Sequence, residues 1–133
     1  MDTESYRILL VEDEPVIQEL VSSMLGGEIR GRNVELRVVA NGAEAVPAAK
    51  RMLPDLVLLD IVLPSLDGIA VCRLINADPA LGHTRVCMLT ARASARDHQD
   101  AEAAGADAYV EKPFKGMDLI ELVENLLTGE AFR

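Results

Sequence analysis

The chain has 133 residues, half of them hydrophobic, and a formal charge of −9. That length fits a single domain able to bury a proper core, and an acidic chain without a basic patch is poorly suited to neutralising nucleic-acid phosphates. No apolar run is long enough to span a bilayer and MDTES lacks the regions of a signal peptide, so a soluble, cytoplasmic protein with no membrane partner is expected.

Residues 6–11 form a first apolar strand, followed at once by Glu12 and Asp13. Glu14-Pro15 opens a helix, with Pro15 suited to the first helical position. Val16, Ile17, Leu20, Val21, Met24 and Leu25 recur at helical spacing and define its buried face. Gly26-Gly27 ends it, and a polar loop is expected to run to about Asn33. A strand over 34–39 is less apolar, as suits a sheet edge. Asn41-Gly42 turns the chain into a helix over 43–52, in which Pro47 removes a hydrogen bond to the carbonyl of Ala43 and predicts a kink or an early distortion. Leu53-Pro54 closes that helix.

LVLL (56–59) reads as a strand buried on both faces, with Asp60 where it leaves the core. Asp67 is placed to cap a helix over 68–77, and Asp78-Pro79 stops it. A strand over 86–90 ends in Thr90, and an alanine-rich helix over 94–104 follows, with few large apolar anchors. That helix is expected to be the loosest packed and the easiest to shift. A strand over 107–110 leads into Glu111-Lys112-Pro113, and a helix over 117–127 buries Leu119, Ile120, Val123, Leu126 and Leu127. Cys72 and Cys87 lie in apolar segments and read as small buried hydrophobes in a reducing compartment. His83 and His98 have no ligand spacing around them and read as surface residues; Met52, Met88 and Met117 read as core or edge filler. Strands alternating with helices argue for a doubly wound, five-stranded parallel sheet with five helices, as one domain over 1–133 with its core at 6–127. Residues 128–133 read as a tail or the opening of a linker.

In an open parallel sheet the strand C-termini share one edge, where ligands bind. That edge would gather Glu12, Asp13, Asp60, Thr90 and Lys112. Three carboxylates so close repel unless a cation is present, and hard oxygen ligands suit Mg²⁺. Asp60 is the candidate nucleophile toward phosphorus, Lys112 a cation for phosphoryl oxygens, and Thr90 a hydroxyl at the mouth of its strand. A proline directly after Lys112, at a strand end, is a plausible place for a cis peptide bond.

The stretches ILLVEDE, LVLLDIVLPSLDG, MLTA and GADAYVEKPF, in this order and spacing, resemble a response-regulator receiver domain of two-component signalling, from Tyr6 to about Leu127. The resemblance implies the flavodoxin-like strand order 2-1-3-4-5, with Asp60 as phosphoacceptor and Glu12 and Asp13 as the acidic pair. It implies Mg²⁺ held by Asp13, Asp60 and the main-chain carbonyl of Val62, Thr90 as switch hydroxyl, Lys112 as phosphate-binding lysine, a cis bond before Pro113, and Tyr109 as the aromatic switch residue. A sensor histidine kinase or histidine phosphotransfer protein would be the donor. The face formed by the fourth helix, fifth strand and fifth helix would carry the signal to an output domain or partner, with a homodimer on phosphorylation as one form. Such a chain is not an enzyme acting on other substrates; it catalyses its own phosphorylation and slow dephosphorylation. Val62 is apolar where many members are polar, which predicts slow loss of the phosphate, whereas Arg92 is placed to reach the phosphoryl entrance. A flavin module of the same strand order is disfavoured because Glu12-Asp13-Glu14 would repel its phosphate. A turnover phosphatase lacks a spare histidine near the strand ends, and a phosphorylation-independent scaffold has no use for the intact set of acids, threonine and lysine.

Overall fold

The central LVLL run becomes a strand in which every residue is buried, because both of its faces are covered by helices. In the computed structural model, which describes residues 5–91 and 94–129, the elements run β1 (Tyr6–Val11), α1 (Pro15–Leu25), β2 (Glu28–Ile29), β3 (Arg32–Val39), α2 (Gly42–Met52), β4 (Leu56–Leu59), α3 (Gly68–Ala77), a short 3-10 turn (Pro79–Leu81), β5 (Arg85–Thr90), α4 (Ala95–Ala103), β6 (Ala108–Glu111) and α5 (Gly116–Thr128). The sheet order is β2-β3-β1-β4-β5-β6. All pairs are parallel except β2 with β3. Set β2 aside and the remaining five strands keep the doubly wound order 2-1-3-4-5, the flavodoxin-like arrangement. No helix among the described residues is long and apolar enough to cross a membrane.

Alternation along each strand divides the interior in two. Leu9, Val11, Val57, Leu59 and Met88 face α2, α3 and α4. Ile8, Leu10, Leu56, Leu58 and Leu89 face α1 and α5. Side-chain caps start three of the helices: Asn41 accepts from the Glu44 amide, Asp67 from the Ala70 amide and Ser94 from the Asp97 amide.

The structure departs from the sequence expectations at three places. Residues 28–33 are not a simple polar loop but a hairpin, since Arg30 (φ 51°) and Gly31 (φ 80°) both turn in the left-handed region and pair β2 with the start of β3. Helix α2 includes Pro47; Ala43 and Pro47 lie on its exposed face, where water can take the carbonyl that Pro47 leaves without a partner. Only one flank of α1 is covered: Val21 and Leu25 are buried, while Val16 and Leu20 are 76% and 43% exposed. Met52 and Met88 are buried, but Met117 is exposed. Helix α4, as its alanine-rich composition suggests, buries only Asp97 and Ala101.

Cys72 and Cys87 are fully buried, and burial pushes their thiols up to about 11 and about 12. Neither should react with a disulfide reagent in the folded protein at pH 8, and both should react after unfolding. Rapid labelling of either in plain buffer would contradict their place in the core.

Candidate functional site

Strands β1, β4, β5 and β6 end at one edge, with Val11 beside Leu59, Leu59 beside Met88, and Thr90 beside Glu111. The backbone ladder continues one residue past three of these ends. Glu12 N–H donates to the Val39 carbonyl (3.0 Å), Asp60 N–H to that of Val11 (3.2 Å), and Lys112 N–H to that of Thr90 (2.8 Å). Each side chain is therefore held by main-chain bonds before it makes any contact of its own.

Lys112 Nζ donates to Glu12 Oε1 at 2.8 Å, to Asp60 Oδ2 at 2.8 Å and to Glu14 Oε1 at 3.0 Å. The other Asp60 oxygen, Oδ1, accepts from the Val62 amide at 3.1 Å. Glu12 Oε2 accepts from the Glu14 amide, and the Glu12 carbonyl accepts from Gln18 Nε2. Carboxylate oxygens of Glu12, Asp13 and Asp60 all lie within 4.8 Å of one another. Glu12, Asp60 and Thr90 are buried, whereas Asp13 is exposed. Asp13, Glu14, Asp60, Val62, Thr90, Ala91 and Lys112 line a cleft of about 400 Å³.

Burial raises the Glu12 carboxyl above its ordinary value, against the opposing hydrogen bond from Lys112. Burial also disfavours charge on Lys112, but the hydrogen bonds to Asp60, Glu12 and Glu14 together outweigh it and raise the ammonium above its ordinary value of 10.5. Lys112 is thus fully charged at neutral pH and committed to carboxylates on two strands.

The loop after Asp60 is built by close approach. Gly42 N–H donates to the Pro64 carbonyl and Gly68 N–H to that of Ile61. A Cβ on Gly68 would collide with the main-chain carbonyl of Asp60. The peptide bond between Lys112 and Pro113 is cis.

The geometry brings together Glu12, Asp13, Asp60, Thr90 and Lys112, with Val62 at the rim. Tyr109 stands apart from the cleft, stacked on His98. His98 is a surface residue, as its sequence context suggests, and it also stacks on that aromatic ring. His83 is exposed. Glu14, third acid in its run, is a further site residue through its direct contact with Lys112, and its place beside the acidic pair is the sequence signal for it. Arg92 lies outside the described residues.

A doubly wound parallel sheet carrying clustered acids and a lysine at its strand ends defines a narrow class of protein. The chain matches the response regulator receiver domain over residues 8–124 and belongs to that family; it is a receiver domain of two-component signalling. It is 40% identical over 123 residues to the DNA-binding response regulator MtrA of Mycolicibacterium smegmatis, covering 92% of this chain and 51% of that protein. It is 36% identical over 121 residues to the DNA-binding dual master transcriptional regulator RpaA of Synechocystis, covering 91% and 48%. The chain spans about half the length of these curated relatives. Among solved structures, the receiver domain of sensor histidine kinase PA1611 from Pseudomonas aeruginosa superposes with a TM-score of 0.81 at 34% identity, over 94% of this chain and 99% of that one, and holds a magnesium ion in its active-site cleft. The Vibrio cholerae chemotaxis protein CheY4 gives a TM-score of 0.82 at 27% identity, over 93% and 100%.

Proposed function

We propose that Asp60 accepts a phosphoryl group from a phosphohistidine on a sensor kinase or phosphotransfer protein, and that the resulting aspartyl phosphate is the on-state of a signalling switch. The observation that carries this is the two-sided hold on the Asp60 carboxylate, by Lys112 Nζ at 2.8 Å on one oxygen and the Val62 amide at 3.1 Å on the other. Attack by an Asp60 oxygen forms the new O–P bond while the P–N bond of the donor breaks, and the electron pair leaves with the imidazole. Lys112, already charged and aimed at this oxygen, then turns its hydrogen bonds to the phosphoryl oxygens. Thr90, buried at the cleft wall, supplies a hydroxyl to the same oxygens.

The donor set fits Mg²⁺: clustered hard carboxylate oxygens beside an open cleft of about 400 Å³, with room for an ion that keeps some of its waters. Asp13, Asp60 and the main-chain carbonyl of Val62 would hold it, with Glu12 behind them. When bound, it neutralises charge developing on the transferred group. In this reading the chain acts on no other substrate and catalyses only its own phosphorylation and slow dephosphorylation.

Intact mass after incubation with acetyl phosphate and Mg²⁺ tests this. A labile single-phosphoryl increment is expected in the wild type, absent in Asp60→Asn and without metal. Folded wild-type protein that takes no phosphoryl group from acetyl phosphate or from a panel of kinases would overturn the proposal.

Val62 presents an apolar side chain, 57% exposed, to the cleft, and such a group cannot orient an attacking water. Val62→Asn should therefore shorten the phosphoryl lifetime severalfold, read as decay of the increment once donor is removed. An unchanged decay would contradict it. For output, the relatives' names point to a DNA-binding partner module, and the second solved neighbour to chemotaxis; the signal would leave through the face made by α4, β6 and α5.

A further inference from the structure

Tyr109 and His98 lie ring on ring, with centroids 3.7 Å apart and planes 23° apart. His98 is on α4, and its Nε2 also lies 3.9 Å from the Glu111 carboxylate. Tyr109 and Glu111 are two residues apart on β6 and so share one face of the sheet. Their register neighbours on β5 are Met88 and Thr90. One imidazole therefore touches both the aromatic residue and the carboxylate beside Thr90. Little else on α4 is anchored, since it buries only Asp97 and Ala101. The stacked rings help to line a groove of about 240 Å³ between α4 and β6, together with Ala101 and Glu102.

We propose that His98 is a positioning residue for the switch: in the resting chain its ring holds Tyr109 in the groove between α4 and β6, and phosphorylation of Asp60 breaks that stack and releases α4. This rests on Asp60 being the phosphoacceptor. A phosphoryl group that draws the Thr90 hydroxyl toward Asp60 vacates space on the sheet face that Tyr109 shares, and a ring that enters it must leave the imidazole, so activation gives up this contact. Removing it should bias the chain toward the activated arrangement by roughly threefold to tenfold, the range expected of one aromatic pair.

Proton NMR reads the stack directly, because the chain has only two histidines, His83 and His98. In the resting protein the His98 ring protons should lie upfield of those of His83, through the ring current of Tyr109, and should lose that displacement in Tyr109→Leu. Adding Mg²⁺ and beryllofluoride, a stand-in for the phosphoryl group on a carboxylate, should return them toward ordinary positions while the Val62 amide resonance shifts. In parallel, His98→Ala should label faster with acetyl phosphate by the same threefold to tenfold, and His98→Phe, which keeps a stacking ring, should stay near wild type. No upfield displacement at rest, or a Val62 response with His98 unmoved, would overturn the role of His98 and leave the phosphoacceptor standing. No response at either residue would overturn both.

Discussion

Replacing Lys112 by methionine should destabilise the metal-free protein by about 3 kcal/mol, the lower end of what removing one partner of a buried ion pair costs. Methionine keeps much of the aliphatic stem but leaves two carboxylates without their cation, in a place where water reaches them poorly. The Glu12 side chain is fully buried and that of Asp60 only 6% exposed. The lower end applies because one wall of the site opens to the cleft. Urea unfolding with and without millimolar Mg²⁺ checks the cause: the cation should recover more stability in Lys112→Met than in wild type, since it neutralises the same carboxylates. Equal stability of the two proteins in metal-free buffer would mean that these charges are solvated after all.

The pH dependence separates the partners. The folded-state value of Glu12 is raised, first by burial, so its penalty is complete above that value and vanishes as pH falls through it toward the unfolded value. Without Lys112 the rise is larger, and the deficit of Lys112→Met should shrink as pH drops from 7 toward 5. Lys112 has a folded-state value raised above 10.5, so its contribution is whole below about that pH and fades as pH climbs through the folded value. The wild type should show this alkaline decline and the variant should lack it.

Gly68→Ala is the second large effect. A Cβ there would meet the carbonyl oxygen of Asp60 and lie 2.8 Å from the Ile61 Cα, both backbone atoms that no rotamer change can move aside. Either the start of α3 lifts away from the loop, losing the Gly68 N–H bond to the Ile61 carbonyl, or Asp60 itself shifts. We expect a loss of about 3 kcal/mol, the upper part of the range for overpacking. Labelling by acetyl phosphate should fall about tenfold or more, because a displacement well under 1 Å at the nucleophile is costly. Gly82→Ala, where a Cβ would sit 3.4 Å from the Pro79 carbonyl, is the control and should stay within about 0.5 kcal/mol of wild type. Matching losses at the two positions would refute the close-approach account.

What the sequence determined by itself is the sheet and the edge of the site. A strand buried on both faces must be apolar throughout, so ILLV, LVLL and VCML stand out, and parallel connections force their ends to one side. Polar residues after such runs, Glu12, Asp13 and Asp60, could therefore be grouped with Lys112 at the end of the next strand before any distance was known. Helix starts at Asn41 and Asp67 were legible for the same local reason, a short acceptor side chain before an apolar period. Tertiary structure alone decided the rest. Val16 and Leu20 share the helical period of Val21 and Leu25, and only the position of α1 over the sheet leaves them in solvent. The Arg30-Gly31 turn needs two left-handed residues, one of them not glycine, which residue preference argues against. Lys112 meets Glu14 from 98 residues away, and His98 meets Tyr109 only because α4 is rotated to present that side chain to β6. Periodicity tells a helix which face is apolar, but the angle at which it settles is set by the packing of every neighbour at once, and that is where the contacts of His98 and Gly68 are made.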